Sequence, residues 1–206
     1  MNNKLKRWEI ALMAGVLFAI LFGSWVRQEQ KELADSVIRM HVIANSDSEE
    51  DQKLKLAVRD GVLARAEQIY PEGADLSRAE QALAEHLAEL AQAGEAVVQE
   101  WGREETVTAS LEECWFPTKE YEDFALPAGN YKALRVVIGE GKGQNWWCVA
   151  FPPLCLGAAS ETLDNAVQAG HFTPDQAELI TESGGEYVFR FKTLELLGCV
   201  QRLFAS

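Results

Sequence analysis

The chain is short of the residues that most often carry chemistry. Its 206 residues include four cysteines and three histidines. No Cys-x-x-Cys pair occurs, which excludes zinc ribbons and thioredoxin-like redox sites. His41, His86 and His171 stand apart, and none belongs to an H-E-x-x-H motif, so the histidines suggest no metal site. No G-x-S-x-G elbow is present. Basic charge is scarce too: 19 Lys and Arg face 32 Asp and Glu, for a net charge of −13. Such a balance argues against a broad nucleic-acid surface, which needs clustered Lys and Arg to replace phosphate counterions. Internal repeats and low-complexity blocks are missing. What remains, 48% apolar and 25% charged residues, suits one globular domain with an appendage and excludes a collagen, a coiled-coil rod or a wholly disordered tail.

The charge is unevenly spread. Residues 1–27 hold Lys4, Lys6, Arg7 and Arg27 against Glu9, a balance of +3, and the remainder carries −16. Lys4, Lys6 and Arg7 precede an apolar run from Ile10 to Phe22, IALMAGVLFAILF, continued by Gly23, Ser24, Trp25 and Val26 to Arg27. This is the layout of an export signal. Cleavage after Ser24 would place Phe22, and after Gly23 Leu21, where a small residue is preferred. Ile10 to Val26 is 17 residues, at the short end of the roughly 17–25 that span a bilayer. Residues 1–27 are therefore expected to be a signal peptide or an uncleaved signal anchor attaching the chain to a membrane. Residues 28–36 (QEQKELADS) then form a linker or helical stem, and 37–206 an exported domain.

Export permits disulfides. Cys148 and Cys155 flank Pro152 and Pro153, which force a bend, so a Cys148–Cys155 bridge is expected, with Cys114–Cys199 following by elimination.

In the exported body, Ser36–Ala44 (SVIRMHVIA) alternates, with one face more apolar than the other, as in a strand. It stops at Asn45-Ser46-Asp47-Ser48. Ser48 is a good helix N-cap, with Asp51 at the capping-box position and Glu49, Glu50 and Asp51 in the dipole-complementing first turn. Leu54, Val58 and Val62 carry a helix from Glu49 to Ile69, closed by Tyr70-Pro71-Glu72-Gly73. A second helix is predicted from Asp75 or Ser77 to Trp101-Gly102, with Leu76, Leu83, Leu87, Leu90 and Val97 on one face. TVTASLEECWF reads as a strand, 118–130 as a loop and Tyr131–Ile138 as a strand. GEGKGQ reads as a hairpin turn in which Gly139, Gly141 and Gly143 supply positive φ, and NWWCVAF as the return strand. Thr173-Pro174 opens a short helix through Ile180, and EYVFRF and Thr193–Phe204 give a last strand and helix. The expected fold is α+β: a small antiparallel sheet covered by two or three helices behind the N-terminal signal or anchor helix.

Two motifs suggest known sites and fail the test. GEGKGQN has the glycines of a phosphate loop, but Gly143 follows Lys142 where Ser or Thr is needed, and no helix follows. The Asp47–Asp51 run lacks the sixth-position glycine and distant Glu of a calcium loop. Two other features stand out. ANSDSEED gathers more hydroxyls and carboxylates than a cap requires. NWWC places Trp146 and Trp147 on opposite faces of one strand, so one can be core while the other is either covered by the second helix or residues 156–185 or exposed as a candidate protein contact.

At these residues a family resemblance emerges. IRMHVIANSDSEEDQKLKLAVRDGV (Ile38–Val62) and GEGKGQNWWCVAFPPLC (Gly139–Cys155) resemble the two signatures of the stage II sporulation protein R family, in matching order and spacing. The likeness covers about residues 37–155. It implies a non-enzymatic signalling protein of endospore formation, made in the forespore and exported to the intermembrane space. There it would activate a membrane-embedded aspartic protease of the mother cell that processes pro-sigma-E. It implies no cofactor, no metal and no catalytic residue. Asn45, Ser46, Asp47, Glu49, Glu50 and Asp51, with Gly141, Lys142, Gly143, Asn145, Trp146 and Trp147, match the signatures and are candidates for partner contact or for holding the fold. A septal cell-wall hydrolase using carboxylates of the acidic loop, or a wall-binding adaptor, is the alternative.

Overall fold

A computed structural model describes residues 7–121, 124–154 and 163–181. The chain divides into two units, Met1–Leu33 and Ala34–Ser206.

The described residues of the first unit lie in one helix, α1 (Arg7–Ala34). Its Leu, Ala and Met residues favour helix and no proline interrupts it, so the polar QEQKEL stretch continues the helix as a stem. Leu12, Leu17, Phe18 and Leu21 are exposed, and Phe18 stacks on Phe22 with ring centroids 5.9 Å apart. Among the described residues no helix is long and apolar enough to cross a membrane.

The second unit holds strands β1 (Ile38–Ile43), β2 (Val107–Phe116), β3 (Lys119–Glu120), β4 (Ala125–Leu126), β5 (Gly129–Ile138) and β6 (Asn145–Phe151). Its helices are α2 (Glu49–Ile69), α3 (Leu76–Glu85), α4 (Leu87–Glu100), α5 (Leu163–Gln168) and α6 (Pro174–Thr181). The main sheet has the order β2-β5-β1-β6. It is mixed, which corrects the all-antiparallel expectation: β1 runs parallel to β5 and antiparallel to β6. The apparent β5–β6 hairpin is also corrected. The two strands are not neighbours, because β1 lies between them. Both faces of β1, including the less apolar one that carries Arg39 and His41, are dry, since all six residues are buried. A strand hydrogen-bonded on both sides and covered on both faces has no wet side.

One sheet face carries Ile38, Met40, Val42, Leu134, Val136, Ile138, Cys148 and Ala150 against Leu54, Val58 and Val62 of α2 and Leu83, Leu90 and Val98 of α3 and α4. Each fully buried aliphatic side chain here contributes about 1.5–3 kcal/mol. Ser48 Oγ accepts from the Asp51 amide at 3.2 Å, as the cap pattern required.

The long second helix is two. His86 has φ −115° and ψ 19°, and its Nδ1 lies 2.8 Å from the Ala82 carbonyl. That carbonyl is the one a continuing α-helix would give to the His86 amide. The amide turns instead to Leu83 O at 3.2 Å, and the chain breaks direction without Gly or Pro.

Residues 118–130, expected as a loop, contain the β3–β4 ribbon. Tyr121 stacks on Phe124 at 4.6 Å. The short helix near Thr173 forms as α6, with Thr173 Oγ1 accepting from the Gln176 amide at 3.2 Å. Helix α5 was not expected. The strand EYVFRF and the helix 193–204 lie outside the described residues.

Candidate functional site

The two sequence signatures meet. The 139–144 loop, freed from the role of a hairpin turn, passes over the C-terminal end of β1 and clasps the β1–α2 junction. Lys142 N donates to Asn45 O at 3.1 Å, and Gly143 N donates to Ala44 O at 2.9 Å. Side chains repeat the pattern: Asn45 Oδ1 accepts from Glu140 N at 3.0 Å, and Asp47 Oδ1 accepts from Gln144 N at 2.8 Å.

The glycines serve this clasp in two ways. Gly139 and Gly141 have φ of 56° and 61°, as the turn reading required. Gly143 does not, which corrects that part of the expectation. Its requirement is space, for a Cβ there would lie 2.2 Å from Ser46 O and 2.8 Å from Ala44 Cβ.

Asp51 is the centre of the junction. Its side chain is only 4% exposed. Oδ2 accepts from Ser46 Oγ at 2.6 Å and Asn45 Nδ2 at 3.1 Å, and Oδ1 from Arg103 Nη2 at 2.7 Å. The Ser46 hydroxyl, with Asn45 and Arg103, holds the carboxyl below its ordinary range and outweighs burial. Asp51 does not complete a capping box: the Ser48 amide donates to Ser46 Oγ at 3.2 Å.

Two cations outside the expected set complete the clasp. Lys55, almost fully buried on α2, donates to Gln144 O at 3.1 Å and to Gln52 Oε1 at 2.5 Å. Desolvation pulls its ammonium pKa down, against the Asp47 charge. Arg103 follows α4 and also holds Glu105. Helical spacing identifies Lys55 as a neighbour of Asp51, four residues on. Nothing in the local sequence marks Arg103.

The remaining signature residues point outward. Glu49 and Glu50 are 84% and 86% exposed, and Lys142 is 73% exposed beside Glu140 at 2.8 Å. Asn145 is exposed as well. Trp146 lies on the helix-covered face, 39% exposed, with the Arg59 guanidinium 4.8 Å from its ring centroid.

Trp147 faces the other way, half-buried at 5.3 Å from the His41 ring and 5.0 Å from Phe116. On that face Arg39 is fully buried. Its guanidinium sits 4.3 Å over Phe116 and 5.0 Å over Tyr131, and Nη2 donates to Tyr121 Oη at 2.7 Å. Burial pushes the His41 imidazole down to about 4, with the Arg135 charge adding to the effect.

Cys148 is buried on β6. Cys155, its expected partner, lies outside the described residues. Cys114 is a free thiol, so the Cys114–Cys199 pairing reached by elimination is corrected. Among the described residues no group of three or more His, Cys, Asp or Glu side chains could hold a metal ion.

These features define a compact α+β domain whose distinctive polar residues bind two of its own loops together and leave a charged, Trp-containing rim outside. Residues 34–161 match the family model described as Stage II sporulation protein R. The chain is also 32% identical to the stage II sporulation protein R of Bacillus subtilis (strain 168), over 68% of this chain and 67% of that protein. No solved structure matches. The chain belongs to the stage II sporulation protein R family, which assigns it a role in sporulation.

Proposed function

We propose that this chain is a non-enzymatic signal of endospore formation. Its basic and apolar N-terminal helix directs export from the forespore into the space between the septal membranes. There the acidic domain binds a membrane-embedded aspartic protease of the mother cell and favours that enzyme's active arrangement, so that pro-sigma-E is processed. A ligand achieves this by binding the active arrangement more tightly than the inactive one.

The observation that carries this reading is the division of labour in the clasp. Asn45, Ser46, Asp47, Asp51, Gly141 and Gly143 face each other and hold the fold. Glu49, Glu50, Lys142, Asn145 and Trp146 remain available to a partner. Of the acidic-loop carboxylates that a hydrolase would use, Asp51 is buried and occupied by three donors and Asp47 accepts from the Gln144 amide, while Glu49 and Glu50 are solvated acids of a helix first turn. The test is reconstitution of the full chain with the protease and its pro-sigma substrate in membranes. Faster processing is expected with the chain present, and equal processing without it overturns the proposal.

A further inference from the structure

Resting on that reading, we propose that Arg103, which lies outside both signatures, is the positioning residue of the docking rim: its guanidinium locks the β1–α2 junction in the geometry that the partner reads.

The placement begins with local structure. Helix α4 ends at Glu100 and is closed by Trp101 and Gly102, and the Gly102 φ of 69° is the left-handed conformation that a closing glycine adopts. The Arg103 amide then bonds back to Val98 O at 3.1 Å. This turn directs the Arg103 side chain toward the first turn of α2. Nη2 reaches Asp51 Oδ1 at 2.7 Å and also Glu105, Nε bridges both Glu105 oxygens at 3.0 and 3.2 Å, and Nη1 lies 3.9 Å from Glu50. One planar side chain thus joins the start of α2, the end of α4 and the approach to β2.

From Asp51 the connections run outward. The same carboxylate holds Asn45 and Ser46, and Asn45 in turn holds the Glu140 and Lys142 amides. Arg103 therefore reaches both sides of the rim: the first turn of α2, which carries Glu49 and Glu50, through Asp51 and Glu50, and Lys142 through Asp51 and Asn45. The guanidinium fork suits this task, since it can serve two carboxylates at once, whereas a lysine ammonium is a point charge on a flexible stem.

The experiment titrates the full chain into membranes holding the protease and its pro-sigma substrate, and reads half-maximal concentration and maximal processing separately. Arg103→Met is expected to raise the half-maximal concentration by about tenfold, the equivalent of one lost charge-assisted hydrogen bond, with the maximum unchanged. Arg103→Lys is expected to recover part of that shift, and it carries the test alone should Arg103→Met fail to fold. Folded variants that match the unsubstituted chain in half-maximal concentration overturn the positioning role while leaving the activator reading intact. No activation by the unsubstituted chain overturns both.

Discussion

The substitution Gly143→Ala isolates the clasp. Gly143 is not in the left-handed region, so alanine suffers no backbone penalty there, and the whole effect is steric. The added methyl would sit 2.2 Å from Ser46 O and 2.6 Å from its carbonyl carbon. Both are backbone atoms, and no rotamer change relieves the overlap. Two responses are open to the chain. If the loop stays, the strain of overpacking costs about 1–3 kcal/mol. If it lifts, the bonds from Lys142 N, Gly143 N and Gln144 N to Asn45 O, Ala44 O and Asp47 Oδ1 are lost, each worth about 0.5–1.5 kcal/mol. The chain takes the cheaper response, so the destabilisation is about 1–3 kcal/mol, a sizeable part of the ~5–15 kcal/mol of a typical domain. Urea unfolding of the full chain, followed by tryptophan fluorescence, should show the midpoint falling by about 0.5–1.5 M for a slope of roughly 2 kcal/mol/M. Gly15→Ala is the control, because nothing lies within 4 Å of a Cβ there. A Gly143→Ala midpoint within about 0.3 M of the unsubstituted chain would refute the reasoning, since that slope makes it under 1 kcal/mol.

Other outcomes follow from the same contacts. His41 is held near 4 in the folded chain, below its unfolded value of about 6.5, so the unfolded state takes the proton first as pH falls. Its stabilising contribution is complete above about pH 6.5 and drops by on the order of 2 kcal/mol by pH 5. Urea midpoints at both pH values should therefore differ less in His41→Phe than in the unsubstituted chain. Ser48→Ala removes the acceptor for the Asp51 amide and should cost about 1 kcal/mol by the same urea assay. Peptide mapping of the unreduced protein should recover Cys148 linked to Cys155, with Cys114 alkylated. Alkylation of Cys148 and Cys155 in the folded, unreduced protein would overturn that bridge.

Helix α2 was legible to the residue, because Ser48, three acids and a four-residue apolar repeat all act within one segment. The end of α4 at Trp101-Gly102 was legible for the same reason. The break at His86 was not, since it depends on an imidazole competing for a carbonyl one turn back in a stretch of good helix formers. GEGKGQ shows the limit most clearly. A glycine loop between two alternating strands is a hairpin by every local criterion, yet here it crosses the end of a third strand. Two of its glycines follow the local rule of positive φ, and the third obeys only the proximity of Ser46.

The sequence by itself determined the helix caps, the strand segments, the basic apolar head and the two signatures, because these arise from residues within a few positions of one another. Only the tertiary structure decided that β1 is central, that Arg39 and His41 are buried, and that Asn45, Asp51 and Arg103 form one network with the 139–144 loop. Strand order is set by which faces become dry when the whole chain packs. Hydrogen bonds between residues as far apart as Asp47 and Gln144 exist only after that packing has brought them together.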